Sequence, residues 1–278
     1  MDTTARIIEK RDLTDITKLL VVHAPLVARN AAPGQFIIVR VSETGERIPI
    51  SITDFSQAAG TITIVVQVAG RTSALVTAMQ VGDEFLDFAG PLGLAVPLPR
   101  EGHAVLIGGG FGTGAVFPLA REMRSRGVRV SSIVGARTRD LLILEDLLAT
   151  ESDEVHLCTD DGSAGYRGFV TGRLEELIDA GAGFTHCFAV GPMPMMRAVA
   201  TTTRRRGLPA MVSLDPLMVD GTGMCGGCRV SVGGKTFFAC VDGPFFDAHQ
   251  VDFDEADDRL TTYKQQEDLA CELAGLRR

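Results

Sequence analysis

Three cysteines fall within sixteen residues: Cys225 and Cys228 form a C-x2-C pair, and Cys240 follows after eleven further residues. Thiolates grouped this closely suit zinc or iron–sulfur chemistry. A structural zinc site needs a fourth Cys or His at knuckle spacing. The nearest histidine, His249, lies nine positions past Cys240, and no second C-x2-C exists. Plant-type [2Fe–2S] sites read C-x4-C-x2-C with a distant fourth cysteine. Counting back from Cys225, the first of those positions holds Asp220. A carboxylate can ligate ferric iron, and Gly221, Gly223, Gly226 and Gly227 would let backbone N–H groups turn toward cluster sulfurs, which tunes the potential. A zinc knuckle or plain thiols remain the alternative, and an Asp beside Gly also makes an ordinary turn. Cys158 and Cys187 fall in expected strands and Cys271 in an expected helix over 265–276, where buried thiols are the simpler reading.

A second pattern suits phosphate. Ala104–Ile107 runs into Gly108-Gly109-Gly110-Phe111-Gly112-Thr113-Gly114-Ala115, which from Gly110 reads G-x-G-x-x-A between an expected strand and an expected helix. That context places a dinucleotide pyrophosphate at a helix N-terminus; a tight turn without ligand is the alternative. No Asp or Glu closes the next strand, which runs into Gly135-Ala136-Arg137-Thr138. The nicotinamide ribose must therefore be held differently, with Arg137 either a 2′-phosphate contact or a solvated side chain. Further anion-binding candidates are Arg47-Ile48-Pro49-Ile50-Ser51 and Gly70-Arg71-Thr72-Ser73. Thr72 or Ser73 would also serve as a plain N-cap.

The elements that must position these residues change along the chain. Residues 1–100 alternate Val/Ile/Thr runs (16–22, 35–41, 61–68) with Pro and Gly turns, the pattern of an antiparallel barrel or sandwich. Residues 101–212 alternate strands (104–107, 128–134, 154–158, 186–190) with helices (113–126, 141–150, 171–180, 193–206), which builds a parallel sheet. Residues 213–278 are Cys-rich, then glycine-rich, then acidic. The expected architecture is thus an N-terminal β-barrel, a parallel-sheet α/β domain and a small C-terminal iron–sulfur module. The 278 residues suit this count, and 45% hydrophobic with 22% charged residues is a globular composition. A net charge of −8 argues against nucleic acid. No apolar run approaches the ~18–20 residues of a membrane span, and the amino terminus lacks a signal-peptide layout, so a cytoplasmic location is expected.

Assembled, these residues resemble the ferredoxin–NADP reductase superfamily over essentially the whole chain. Within it the chain is similar to the FAD/NAD/[2Fe–2S] small subunits of NADH-dependent reduced ferredoxin:NADP oxidoreductase and of sulfide dehydrogenase, relatives of the dihydroorotate dehydrogenase electron-transfer subunit. The resemblance implies that Arg47, Pro49, Ile50 and Ser51 bind FAD, with Gly70, Thr72 and Ser73 at its pyrophosphate. It makes Gly108, Gly110, Gly112 and Thr113 the NAD loop. Asp160, Asp161, Gly191, Pro192 and Met195 then line the nicotinamide nucleotide site. It also makes Asp220 the fourth cluster ligand beside Cys225, Cys228 and Cys240. Dihydroorotate dehydrogenase subunits use four cysteines, so Asp220 points to the ferredoxin:NADP or sulfide dehydrogenase branch. Two positions depart from relatives: Val190 stands where some carry a cysteine near the nicotinamide, and Pro49 where others stack a tyrosine on flavin. No catalytic acid or base is therefore expected.

The function these expectations describe is electron transfer between NAD(P)H, FAD and a [2Fe–2S] cluster, with nicotinamide and flavin meeting between the barrel and the nucleotide domain. The expected partner, completing a heterodimer, is a larger flavoprotein/iron–sulfur subunit resembling the small subunit of glutamate synthase, with ferredoxin a further candidate. The alternatives are a dihydroorotate dehydrogenase-type electron-transfer subunit, or a stand-alone NAD(P)H–flavin reductase with a zinc-binding tail.

Overall fold

The computed structural model describes residues 4–276. The β-rich part forms β1 (Ala5–Asp12), β2 (Thr17–His23), β3 (Phe36–Arg40), β4 (Ile48–Ser56), β5 (Thr61–Gln67), β6 (Glu84–Phe85) and β7 (Asp87–Leu92), with helices α1 (Pro25–Ala28) and α2 (Arg71–Ala78) in the connections. The strands pair antiparallel in the order β6-β1-β2-β5-β4-β3-β7. Only Leu86 separates the two end strands in sequence, so the sheet curls into a nearly closed barrel. Closure protects strand edges that would otherwise be free to pair with other chains.

Ile7, Leu20, Val22, Ile37, Val39, Ile52, Ile62 and Ile64 fill the barrel interior. Side chains alternate across a strand, and β3 is buried at every residue from Phe36 to Val39. Ile37 and Val39 belong to the interior, whereas Ile38, on the opposite face of the strand, is also only 2% exposed. A strand hydrophobic on both faces must be covered on both. The cover for Ile38 comes from the C-terminal segment described below.

The second half forms β8 (His103–Gly109), α3 (Gly112–Ser125), β9 (Arg129–Ala136), α4 (Glu145–Glu151), β10 (Glu154–Thr159), β11 (Tyr166–Arg167), α5 (Val170–Asp179), β12 (His186–Val190), α6 (Met193–Arg205) and β13 (Ala210–Ser213). The C-terminal segment adds β14 (Arg229–Val232), β15 (Lys235–Phe238), α7 (Ala239–Asp242), β16 (Phe245–Asp247), α8 (Phe253–Leu260) and α9 (Lys264–Leu273). The second sheet runs β11-β10-β9-β8-β12-β13-β16, parallel except for β16. Every residue of β8 is buried, as a central parallel strand requires. The expected helix over 141–150 begins only at Glu145, because Leu142, Ile143 and Leu144 are buried in non-helical backbone and Leu144 has a left-handed φ of 60°.

The chain divides into two compact units. One contains the chain up to Leu94 with Asp215–Pro244 and the part from Asp252 onward; the other contains Ala95–Leu214 with Phe245–Val251. The stretch expected to form one C-terminal module therefore contributes to both. β16 leaves it to pair with β13 (Val212 opposite Phe246), placing Phe245 in the core of the second unit. Among the described residues no helix is long and apolar enough to cross a membrane.

Candidate functional site

Asp220 to Cys228 is an irregular loop ending where β14 begins. The eleven residues between Cys228 and Cys240 are two four-residue strands, the Gly233-Gly234 turn between them, and Ala239. That hairpin pairs Arg229 with Phe238, and the Ala239 N–H donates to the Cys228 carbonyl at 3.0 Å. The C-x11-C spacing is therefore the length of one out-and-back ribbon. It brings the buried sulfurs of Cys228 and Cys240 to 3.2 Å as free thiols. Burial above all, then the contact with Cys228, push the Cys240 thiol up.

The other two candidate ligands are held by the loop itself. The Asp220 carboxylate accepts the N–H of Thr222 at 3.0 Å and of Cys225 at 2.9 Å, and the Thr222 bond above all holds it below the usual carboxylate range. Cys225 is exposed, and its Sγ accepts the Gly227 N–H at 3.5 Å. The structure thus joins two of the four donors directly and ties the other two through backbone N–H groups. Among the described residues, no three His, Cys, Asp or Glu side chains are close enough together to hold a single metal ion. The donor set of three free thiols and one carboxylate, with the Gly227 N–H turned to sulfur, still suits an iron–sulfur cluster in its chemistry.

The loop rests on the barrel. A Cβ placed on Gly221 would lie 2.7 Å from Leu92 Cδ1 and 2.8 Å from Ile38 Cδ1, so the loop backbone covers the outer face of β3 and β7. Ile38 stands opposite Pro49 in β4, and Ile37 opposite Ile50. The candidate cluster loop and the candidate flavin residues therefore flank one strand. A second tie follows Cys240: the Leu94 N–H donates to the Gly243 carbonyl at 2.7 Å.

Of the candidate flavin residues, Arg47 donates through Nε and Nη2 to Asp87 at 3.2 and 2.9 Å, and Arg40 donates to the same carboxylate oxygen at 2.7 Å. The Arg40 bond, then that from Arg47, hold Asp87 below its ordinary value. Thr72 donates its hydroxyl to Glu46 at 2.7 Å, which ties the second barrel motif to the residue before Arg47, 26 positions away. Ser73 accepts the N–H groups of Ala69 and Gly70 and donates to the Gly70 carbonyl, securing the start of α2. Ser51 is half-buried in β4 opposite Phe36. Asp87 escapes a reading of the sequence because its partners lie 47 and 40 residues away.

In the second sheet the strand order reverses between β8 and β12, and ligands of such sheets bind beyond the carboxyl ends at that point. Both predicted loops end there. A Cβ on Gly112 would meet the Val190 carbonyl at 2.3 Å, and one on Gly191 would meet Gly109 Cα at 3.1 Å and Met195 Cε at 2.5 Å. Gly108 is equally crowded, by Thr113 Cα at 2.7 Å. These glycines are needed for packing of the loop, with Met195 as the spacer between its two halves. Thr113, fully buried at the start of α3, keeps an Oγ1 without a hydrogen-bond partner, an orphan donor where a phosphate would supply the acceptor. Gly110 donates its N–H to the Gly135 carbonyl at 3.0 Å. Pro192 is exposed as the residue before α6. Asp160 is exposed, and the Asp161 carboxylate accepts the N–H and hydroxyl of Ser163 at 2.9 and 2.6 Å.

The family described as the iron–sulfur cluster binding domain of dihydroorotate dehydrogenase B matches residues 215–252. Over 251 residues the chain is 43% identical to a dihydroorotate dehydrogenase B (NAD(+)) electron transfer subunit homolog of Thermotoga maritima, covering 90% of this chain and 88% of that one. It is 35% identical over 254 residues to the electron transfer subunit of the enzyme from Geobacillus thermodenitrificans, covering 88% and 96%. The chain belongs to the dihydroorotate dehydrogenase B electron-transfer subunit family. The chain is also similar to a chain of the NADH-dependent reduced ferredoxin-NADP oxidoreductase structure, solved for insight into flavin-based electron bifurcation. It superposes with a TM-score of 0.92 at 39% identity over 98% of both chains. Family membership, the matched iron–sulfur domain and the reductase-like barrel and sheet agree with the cofactor set read from the sequence: FAD, NAD(P)H and a [2Fe–2S] cluster. They make the chain an electron-transfer subunit of an oxidoreductase complex.

Proposed function

We propose that this chain takes electrons from NAD(P)H and passes them through FAD and one [2Fe–2S] cluster to a larger flavoprotein/iron–sulfur subunit resembling the small subunit of glutamate synthase, with ferredoxin as a further partner of the complex. The observation that carries this reading is the seat of the Asp220–Cys228 loop on Ile38, directly opposite Pro49 of the candidate flavin motif. When bound, the flavin exchanges electron pairs with the nicotinamide and single electrons with the cluster. The protein's part is binding and orientation. Asp87 fixes the Arg47 guanidinium beside the flavin strand, and the Thr113 hydroxyl with the start of α3 offers donors to the nicotinamide nucleotide's phosphates. Gly70, Thr72 and Ser73 shape the start of α2 near the flavin pyrophosphate, while Asp160, Asp161, Gly191, Pro192 and Met195 border the nicotinamide nucleotide. Asp220, Cys225, Cys228 and Cys240 hold the cluster. The reading assigns no proton-transferring side chain.

Asp220 in place of a fourth cysteine favours the ferredoxin:NADP or sulfide dehydrogenase branch, and the high superposition over 98% of both chains supports it. The 35% identity to a dihydroorotate dehydrogenase B subunit supports the dihydroorotate-linked branch as the second reading. The test is absorbance, EPR and iron analysis of the purified chain and of Cys228→Ser, together with NADH- and NADPH-dependent dye reduction. The expected result is flavin and [2Fe–2S] spectra in the parent chain and loss of the cluster signal in the variant. A Cys228→Ser protein with an unchanged cluster spectrum refutes the ligand set. A colourless, zinc-loaded tail refutes the cluster and leaves a simple flavin reductase.

A further inference from the structure

α8 is an acidic helix with one basic side chain. Its eight residues hold Asp254, Glu255, Asp257 and Asp258, and Arg259 lies near its C-terminal end, where a cation is favoured by the helix dipole. The helix is anchored to the ribbon that joins Cys228 to Cys240. The Asp252 N–H donates to the Ser231 carbonyl in β14 at 2.9 Å. The Asp252 carboxylate caps the first turn by accepting the N–H groups of Asp254 and Glu255 at 3.1 and 3.0 Å, and Phe253 and Ala256 are buried. Two turns on, Arg259 Nη2 donates to the carbonyl of Gly227 at 2.9 Å, across 32 residues of sequence. Gly227 lies between Cys225 and Cys228, and its own N–H donates to Cys225 Sγ at 3.5 Å. One glycine therefore carries the guanidinium on its carbonyl and a candidate ligand sulfur on its amide. The Arg259 Nε is buried and has no hydrogen-bond partner. An unpaired buried donor costs about 1–3 kcal/mol, more on a charged group, and calls for an acceptor that the polypeptide does not supply.

We propose that Arg259 is a positioning residue for the [2Fe–2S] cluster: it clamps the Cys225–Cys228 loop through Gly227 and brings a positive charge to the cluster that raises its reduction potential. The inference rests on the cluster reading above. A cluster held by three thiolates and a carboxylate is anionic and gains one more negative charge on reduction. A nearby fixed cation stabilises the reduced form more than the oxidised one, because the Coulomb energy scales with the charge. Hydrogen bonds and charge at the ligands are recognised means of setting such potentials.

The experiment is an EPR-monitored redox titration of this chain and of Arg259→Lys, Arg259→Gln and Arg259→Met, with iron content and thermal stability measured in parallel. In Arg259→Gln and Arg259→Met the reduced-to-oxidised ratio at a fixed poise should fall about tenfold, equivalent to 59 mV for a one-electron couple. Arg259→Lys should restore most of it. If Arg259→Met loses iron, loss also in Arg259→Gln but retention in Arg259→Lys supports the clamp. Equal midpoints and equal iron in all three variants overturn the proposal. So does equal iron loss in the lysine variant, which would make Arg259 a determinant of tail folding alone. Absence of a cluster signal from the parent chain refutes the cluster reading itself, a separate outcome.

Discussion

Replacing Gly221 by alanine tests the contact that joins the candidate cluster loop to the barrel. Its φ is +73°, and an added Cβ would lie 2.7 Å from Leu92 Cδ1 and 2.8 Å from Ile38 Cδ1. The left-handed backbone costs a non-glycine residue about 1–2 kcal/mol, and forcing one carbon into a filled space adds about 1–3 kcal/mol. The expected destabilisation is therefore about 2–5 kcal/mol, a large share of the ~5–15 kcal/mol that stabilises a typical domain. Gly234 supplies the control. Its φ is +74°, but nothing lies within 4 Å of its Cβ position, so Gly234→Ala should show the backbone cost alone, about 1–2 kcal/mol. Urea unfolding of the cluster-free chain, with midpoints compared at constant slope, measures both. In an Ile38→Ala background, where half of the crowding is gone, the cost at position 221 should shrink toward that at 234, a coupling of at least about 0.5 kcal/mol. Equal costs at 221 and 234, or no coupling to Ile38, would show that the loop does not rest on β3 and would remove the main support for flavin-to-cluster transfer.

Two further outcomes follow from the charge and burial pattern. Asp87 is held below its ordinary value by Arg40 and then Arg47. Its contribution to stability is therefore complete above the unfolded carboxylate value and is lost as pH falls through the lower folded value. The stability gap between the parent chain and Asp87→Asn should be widest near neutral pH and close only below about pH 4; a gap independent of pH in thermal unfolding from pH 7 to about 3 would contradict the pairing. In the iron-free chain, a thiol reagent at mildly alkaline pH should modify the exposed Cys225 first. Burial pushes Cys158 up to about 11 and Cys187 up to about 12, so these should react only on unfolding. Mass-spectrometric mapping that found Cys187 labelled as fast as Cys225 would refute their burial.

Whatever depends on residue type and short-range period was legible from the chain. Strand–helix alternation placed the parallel sheet, including β12 at 186–190, because hydrophobic periodicity is a local property. The Gly108–Thr113 loop was recognisable for the same reason, since it lies between the strand and helix that give it meaning. The candidate ligands were nominated by residue type and spacing, with Asp220 added by resemblance, and burial of Cys158, Cys187 and Cys271 agrees with their reading as packed thiols. Other features were silent because no local pattern encodes them. The pairing of Asp87 with Arg40 and Arg47, and of Arg259 with Gly227, joins positions 32 to 47 residues apart. The departure of β16 from the tail into the second sheet depends on an open edge at β13, which only the assembled sheet presents.

The C-x2-C-x11-C run shows both sides of this division. Its residue types alone suggest soft-metal chemistry, because thiolates bind iron or zinc in any fold. That its eleven-residue interval is a hairpin returning Cys240 to Cys228, and that the loop before it covers the outer face of β3 opposite Pro49, was decided only in three dimensions. The physical reason is that a strand buried on both faces must find its second cover somewhere in the chain. Here that cover is the segment that carries the candidate metal ligands.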